Sequence, residues 1–203
     1  SPEQLWDPIR GFWQENGFAL TQDLQNIGIM ETDWAENRAK LPQDFIRNTL
    51  GKVLNSLYDT GERDKFRTRL ERTATGTEVY ISHRGMVEKL VGGNAANATG
   101  TVWEPRAPSP ELEAEFLRRL MVRLGQTEEQ AKAQVAAAPV KSTSRVATAS
   151  GAPVVQIDEG FERAWRRVGL ALDRTGFTVE DRDRAQGMYF VRYVDPTTDS
   201  KEP

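Results

Sequence analysis

Leu5-Trp-Asp-Pro-Ile-Arg-Gly-Phe-Trp-Gln-Glu-Asn-Gly-Phe18 and Ala164-Trp-Arg-Arg-Val-Gly-Leu-Ala-Leu-Asp-Arg-Thr-Gly-Phe177 carry the same pattern 159 positions apart. Setting Trp6 on Trp165 pairs Leu5 with Ala164, Ile9 with Val168, Phe12 with Ala171, Trp13 with Leu172, Leu20 with Val179 and Gly28 with Gly187, without a gap. A repeat this long implies one structural unit used twice. Leu5, Trp6, Ile9, Phe12 and Trp13 recur at helical spacing, as do Phe161, Ala164, Trp165, Val168, Ala171 and Leu172, so each copy opens with an amphipathic helix. Gly17 and Gly176 stand where the helix closes, because glycine enters the left-handed region at little steric cost. A strand follows in each copy, Phe18 to Gln22 and Phe177 to Asp181, then a turn at Gly28 or Gly187. The next strands, Ile29 to Trp34 and Met188 to Val194, are expected to turn Met30, Thr32 and Trp34 inward, matched by Tyr189, Val191 and Tyr193.

Only the first copy continues. Arg63 to Glu71 alternates Phe66, Thr68 and Leu70 with Lys65, Arg67 and Arg69, Thr73 to Thr77 supplies turn residues, and Val79, Ile81 and His83 share one face of the returning strand. This predicts a hairpin with one buried side. Ser109, Pro110, Glu111 and Glu113 suit the start of a helix whose apolar stripe is Leu112, Phe116, Leu120 and Leu124, with Gly125 as its stop. An insertion opened by Pro42 places Phe45, Ile46, Leu50, Val53, Leu54, Leu57 and Tyr58 on one wide apolar arc, an amphipathic helix over about 42–59. The fold class is α+β, built of helix-grip modules in which an antiparallel sheet packs against a long helix. One nearly complete copy spans 1–126, an Ala-rich linker 127–152, and a truncated second copy 153–203, opened by a strand at Val154 to Asp158.

The net charge of -3 sets up no global field for nucleic acid or anionic lipid. With no cysteine, disulfides, thiol nucleophiles and cysteine-held metals are excluded together. No stretch approaches the roughly 18 apolar residues that cross a bilayer as a helix. The chain opens at Ser1-Pro2 and ends in a polar string, which reads as a fragment whose targeting signal would lie outside it.

The order Leu5-Trp6, Glu15-Asn-Gly-Phe18, Gly28-Ile-Met-Glu-Thr-Asp-Trp34, Arg63 to Arg72, Tyr80-Ile-Ser-His-Arg-Gly85, Glu111 to Gly125, a linker and a second Gly-Phe unit resembles the BamC (NlpB) family. The resemblance covers nearly the whole chain. It implies two helix-grip domains and a non-catalytic scaffold in the machine that folds β-barrels into the outer membrane. BamD-like and BamA-like subunits would be its partners on the periplasmic side, with membrane contact only through an N-terminal lipid anchor. The acylated cysteine and the segment that engages BamD in this family have no counterpart here.

Candidate sites are few. His83, the sole histidine, lacks a second histidine or cysteine for zinc, and neither a Gly-x-Ser-x-Gly elbow nor a phosphate loop is present, so it reads as structural. Asp23, Glu31, Asp33 and Glu36 lack a calcium-loop spacing and read as turn residues. Lys65, Arg67, Arg69 and Arg84 with Tyr80 are expected to form a solvated sheet face rather than a nucleic-acid platform. Trp6, Trp13, Trp34 and Trp165 read as core, while Trp103 has no assigned place. No catalytic, metal or cofactor residue is expected. Partner contact is assigned to Phe45, Ile46, Leu50, Val53, Leu54, Leu57 and Tyr58. The alternative is a carrier holding an apolar ligand between sheet and helix, which an aromatic pocket of several hundred Å3 would favour.

Overall fold

The computed structural model of the chain describes residues 1–36, 61–92, 99–136, 144–175 and 177–193. Helix α1 (Pro2–Glu15) leads into strands β1 (Leu20–Leu24), β2 (Ile29–Thr32) and β3 (Ala35–Glu36). The hairpin β4 (Glu62–Arg72) and β5 (Thr77–Val91) follows, then β6 (Gly100–Arg106), helix α2 (Pro110–Arg123) and helix α3 (Glu128–Ala136). A hairpin of β7 (Ser144–Ala149) and β8 (Ala152–Ile157) precedes helix α4 (Phe161–Arg174) and the hairpin of β9 (Phe177–Asp183) and β10 (Met188–Tyr193). The first copy forms an antiparallel sheet in the order β1-β2-β4-β5-β6, with β3 also on β4. The class is α+β, as expected.

The repeat holds at the level of backbone detail. Helices α1 and α4 each have 14 residues in equivalent positions. In β1–β2 the register slips at Thr21, between the pairs Leu20–Thr32 and Gln22–Glu31, and in β9–β10 it slips at the equivalent Glu180, between Val179–Val191 and Asp181–Phe190. Gly28 and Gly187, at the equivalent turns, both have φ +69°. One extra residue at the same place gives both hairpins the same local twist.

The first copy grips its own sheet through α1 and α2. Trp6, Ile9, Phe12 and Trp13 from α1 meet Leu112, Phe116 and Leu120 from α2 over Met30, Phe66, Leu70 and Ile81. The expected inner face of the β4–β5 hairpin is therefore correct. Trp13 stacks on Phe66 at 5.2 Å between centroids, and its indole N–H donates to Thr68 Oγ1 at 2.9 Å. Ser109 caps α2 by accepting from the Leu112 N–H, and Gly125 ends it at φ +103°.

Several expectations fail for identifiable reasons. Trp34 lies outside the core because β2 stops at Thr32: the Asp33 N–H turns back to the Ala19 carbonyl, and Asp33 Oδ1 accepts from the Trp34 N–H. Pairing resumes with Ala35 opposite Asp64 after Glu31 opposite Arg67, a one-residue slip, so Ala35 takes the inward place and the Trp34 ring stands beside Lys65 and Arg84. Within the stretch expected as a linker, α3 and β7 form instead. The strand expected to open the second copy pairs with β7 as β8 and joins neither β9 nor β10. Finally, the β4–β5 hairpin does not keep one solvated side. Every β4 residue from Asp64 to Glu71 is buried, because α4 and the β9–β10 hairpin cover the sheet's outer face.

The two turn glycines should respond unequally to substitution. A Cβ at Gly28 would lie 2.5 Å from the Leu70 carbonyl oxygen, whereas at Gly187 the nearest atom is on the Phe161 ring at 3.5 Å. Both alanine variants carry the left-handed penalty of about 1–2 kcal/mol. Gly28→Ala must also displace backbone, since Leu70 N–H donates to the Gly28 carbonyl at 2.9 Å. In urea denaturation, Gly28→Ala is expected to lose clearly more stability than Gly187→Ala, and equal losses would contradict the close approach.

Candidate functional site

The outer face of β4 carries Lys65, Arg67 and Arg69 in alternate positions, flanked by Glu31 on β2 and Glu71 at the strand's end. These side chains are almost wholly removed from solvent. Glu31 Oε1 lies 3.0 Å from Lys65 Nζ, and Glu31 Oε2 accepts from Arg67 Nε. Both arginines also reach the second copy. Arg67 Nη1 donates to Asp173 Oδ1 at 3.1 Å and to the Phe177 carbonyl at 3.0 Å. Arg69 forks onto the same carboxylate, with Nε to Oδ2 and Nη2 to Oδ1 both 2.7 Å, and Nη2 also reaches the Gly169 carbonyl at 3.4 Å. Its Nη1 stands 3.5 Å from Glu71 Oε1, and Glu71 is held in turn by Arg182 of β9. Beside the charges, Ile27, Ile29 and Val179 form a small apolar cluster with Leu172 and Tyr189.

This seam explains why so many charges are tolerated under cover. A buried ion needs a counter-ion and hydrogen bonds, and a planar guanidinium fork meets a carboxylate with two parallel bonds. Burial alone would raise the Glu31 carboxyl, but Arg67 and Lys65 outweigh it and hold the group below its ordinary range. Burial likewise disfavours the charged Arg67 head, and Glu31 and Asp173 reverse that. Burial pushes the Tyr189 hydroxyl up to about 12. Since the folded-state pKa of Glu31 is depressed, its contribution is fully present above the unfolded glutamate value of 4.5 and is lost as pH falls through the folded value. The urea midpoint is thus expected to be flat from neutrality down to about pH 5 and to drop on further acidification. A midpoint that rises below pH 4.5 would contradict the assignment.

The sequence candidates are distributed as follows. His83 is fully buried, with Nδ1 accepting from the Ser109 N–H at 2.9 Å and Nε2 2.8 Å from Asp64 Oδ1, so its ring braces the start of α2. Because Nδ1 is an acceptor there, Nε2 carries the proton toward Asp64. Asp23 accepts from the Trp6 indole at 2.6 Å and from Arg10, while Glu36 pairs with Arg63. Among the described residues no three His, Asp or Glu side chains gather into a metal-binding group. Trp103 lies on β6 with the Arg63 guanidinium 4.2 Å over its ring. The sheet face of Lys65, Arg67 and Arg69, expected to be solvated, is a buried interface between the copies. Phe45, Ile46, Leu50, Val53, Leu54, Leu57 and Tyr58 lie outside the described residues.

Sequence reasoning missed Asp173 and Gly169. A signal existed: their counterparts under the repeat are Gln14 and Arg10, so the two helices differ at positions one turn apart on a single face. Gln14 is exposed in α1, whereas Trp165, Gly169 and Asp173 are the buried stripe of α4.

Fold and seam together define an α+β repeat protein whose second copy is keyed onto the first by buried charge. Residues 2–138 match the outer membrane protein assembly factor BamC-like N-terminal domain and residues 143–202 the corresponding C-terminal domain. The chain belongs to the BamC family. It is 56% identical over 98% of its length to an outer membrane protein assembly factor BamC of Thiobacillus denitrificans, covering 54% of that protein. It is 56% identical over its whole length to the protein of the same name from Accumulibacter regalis, covering 53% of it. An uncharacterised protein of Neisseria meningitidis is 40% identical over 95% of the chain and 48% of its own length. The chain thus spans about half the length of the curated relatives it matches.

Proposed function

We propose that this chain is part of an accessory subunit of the outer-membrane β-barrel assembly machine, acting through protein contacts rather than catalysis. The observation that carries this reading is the identity of 56% over nearly the whole chain to two proteins named as assembly factors. The named roles of those relatives concern assembly, and the buried arginines of β4 join the two copies through Asp173. BamD-like and BamA-like subunits are the proposed partners, and the periplasmic side of the outer membrane the proposed location, with attachment through a lipid anchor. No helix among the described residues is long and apolar enough to cross a membrane.

The carrier reading gains no support. The space between the first copy's sheet and its helices is filled by aromatic rings, with Phe66 and Phe116 at 4.5 Å between centroids. A cleft of about 380 Å3 is open and lined by Glu78, Tyr80, Glu159, Arg163 and Arg166, chemistry unsuited to an apolar guest. Affinity capture from detergent-solubilised envelopes tests the proposal: BamD-like and BamA-like subunits should be retained, and recovery at background level would refute it. The strip Phe45, Ile46, Leu50, Val53, Leu54, Leu57 and Tyr58 is proposed to contribute to that capture, which serine replacements should weaken.

A further inference from the structure

We propose that the pocket where the end of α4 meets β5 and β6 is an anion site that takes a carboxylate no larger than an acidic side chain. The pocket has a volume of about 180 Å3, and Trp34, Arg84, Gly85, Arg106, Pro108 and Arg174 are part of its wall. Among the described residues that line it are three arginines and no carboxylate. Two of the lining side chains hold donors that lack an acceptor. The Trp34 indole N–H and the Arg106 Nε–H are both shut off from solvent, and neither reaches a hydrogen-bond partner among the described residues. Buried N–H groups are nearly always satisfied, so two exceptions in one wall call for an acceptor between them. The chemistry of this pocket does not depend on the assembly role proposed above.

The carboxylates nearby are already engaged. Asp64 Oδ1 stands 2.8 Å from His83 Nε2 and accepts from Arg106 Nη2, while Glu113 accepts from the His83 N–H at 3.0 Å and from Arg174 Nη2. Glu31, which feels the Arg84 charge, is shared by Lys65 and Arg67. A further carboxylate would therefore enter a wall rich in cationic heads. The Trp34 ring has Lys65 Nζ 5.3 Å and the Arg84 guanidinium 5.9 Å from its centroid, and cations drawn to the π face leave the N–H edge the more electropositive. Gly85 pairs with Arg106 across the β5–β6 ladder, and the arginine arm lies over it: a Cβ at Gly85 would be 2.6 Å from Arg106 Nε and 2.7 Å from its Cγ. The missing side chain is what lets that N–H line the pocket. Size and donor number set the ligand class. About 180 Å3 is smaller than the clefts that hold lipids or nucleotides and has room for one side chain. Two single N–H donors match the two oxygens of a planar carboxylate, whereas a phosphate brings more acceptors than they satisfy. Arg174 and Thr175 come from the second copy and the other lining residues from the first, so a bound carboxylate also ties the copies together.

The probe is acetyl-glutamate methylamide, with acetyl-glutamine methylamide, propionate and inorganic phosphate beside it, each titrated at constant ionic strength into the isotope-labelled full chain. The Trp34 indole N–H resonance, assigned by its loss in Trp34→Phe, is expected to move downfield and saturate with the glutamate probe and to stay in place with the glutamine probe. Affinity, read on the Arg106 amide resonance, is expected to fall about tenfold in Trp34→Phe and in Gly85→Ala, the worth of one hydrogen bond to a charged group. The first variant keeps an aromatic ring and the second keeps every charge, and Trp34→Phe decides the matter if Gly85→Ala fails to fold. Propionate binding as tightly as the glutamate probe assigns the site to a free small carboxylate, and weaker propionate binding assigns it to an acidic side chain presented by a protein segment; both results support the site. Equal shifts with the glutamine and glutamate probes, tighter binding of phosphate, or an indole resonance unmoved by every anion would overturn the proposal.

Discussion

Asp173→Ala is expected to detach the second copy from the first while leaving the first core folded. Three arginine hydrogen bonds end on the two oxygens of this carboxylate, the Arg69 fork at 2.7 Å and the Arg67 bond at 3.1 Å. Removing one member of a buried ion pair strands the other charge, at a cost of about 3–5 kcal/mol. The guanidinium groups have an escape, because lifting α4 returns them to water, so the loss appears as undocking and not as global unfolding. That motion is opposed by the cluster of Ile27, Ile29 and Val179 with Leu172 and Tyr189 and by the ion pairs Arg182–Glu71, Arg166–Glu78 and Arg174–Glu113, which lie nearer the rim than Asp173. Amide exchange should therefore accelerate across 161–175 and 177–193 and stay slow in α1 and β4. Unchanged exchange in α4 would show that the seam does not hold the copies together. Pairing the change with Arg69→Met, as Asp173→Leu with Arg69→Met, is expected to recover much of the docking, since an apolar pair of similar volume is often neutral or better in place of a buried ion pair.

The legible part of this fold was the part written in local periodicity. The match of Trp6 with Trp165 and of Gly28 with Gly187 gave helix, strand, turn and strand twice, and even the bulges at Thr21 and Glu180 fall at matched positions. What stayed hidden depended on long-range contact. Lys65, Arg67 and Arg69 alternate with apolar neighbours, and that pattern is the ordinary mark of a half-solvated strand; only the arrival of Asp173, over a hundred positions away, changes their surroundings. Trp34 was misplaced because strand phase was carried through Asp33, whose side chain takes the Trp34 N–H and shifts the register by one. Composition argued for a linker between the copies because small residues such as those of α3 and β7 carry little apolar signal, and Val146 indeed remains exposed.

The repeat also invites a test of whether equal position means equal energy, and Trp13→Ala against Leu172→Ala is expected to show that it does not. Trp13 is fully buried, with Phe12, Phe18, Phe66 and Phe116 all within 5.1–5.4 Å of its ring, centroid to centroid. Truncation opens a cavity the size of an indole among rings that cannot all collapse into it, and it leaves Thr68 Oγ1 without its donor. A loss of about 3–5 kcal/mol follows, a large share of the 5–15 kcal/mol that holds a typical domain together. Leu172, its counterpart, is only half-buried and packs beside Val179 and Tyr189 at the seam. Fewer contacts vanish with it, and α4 can shift on the sheet to close the gap, so its truncation is expected to lower stability by about 1 kcal/mol and to speed exchange only in the second copy. Chemical denaturation followed by near-ultraviolet dichroism reads the first effect and amide exchange the second. Equal losses would mean that the second copy, like the first, is held by a core of its own; a Trp13 effect below about 1 kcal/mol would mean that the ring cluster is not the centre of the first copy's stability.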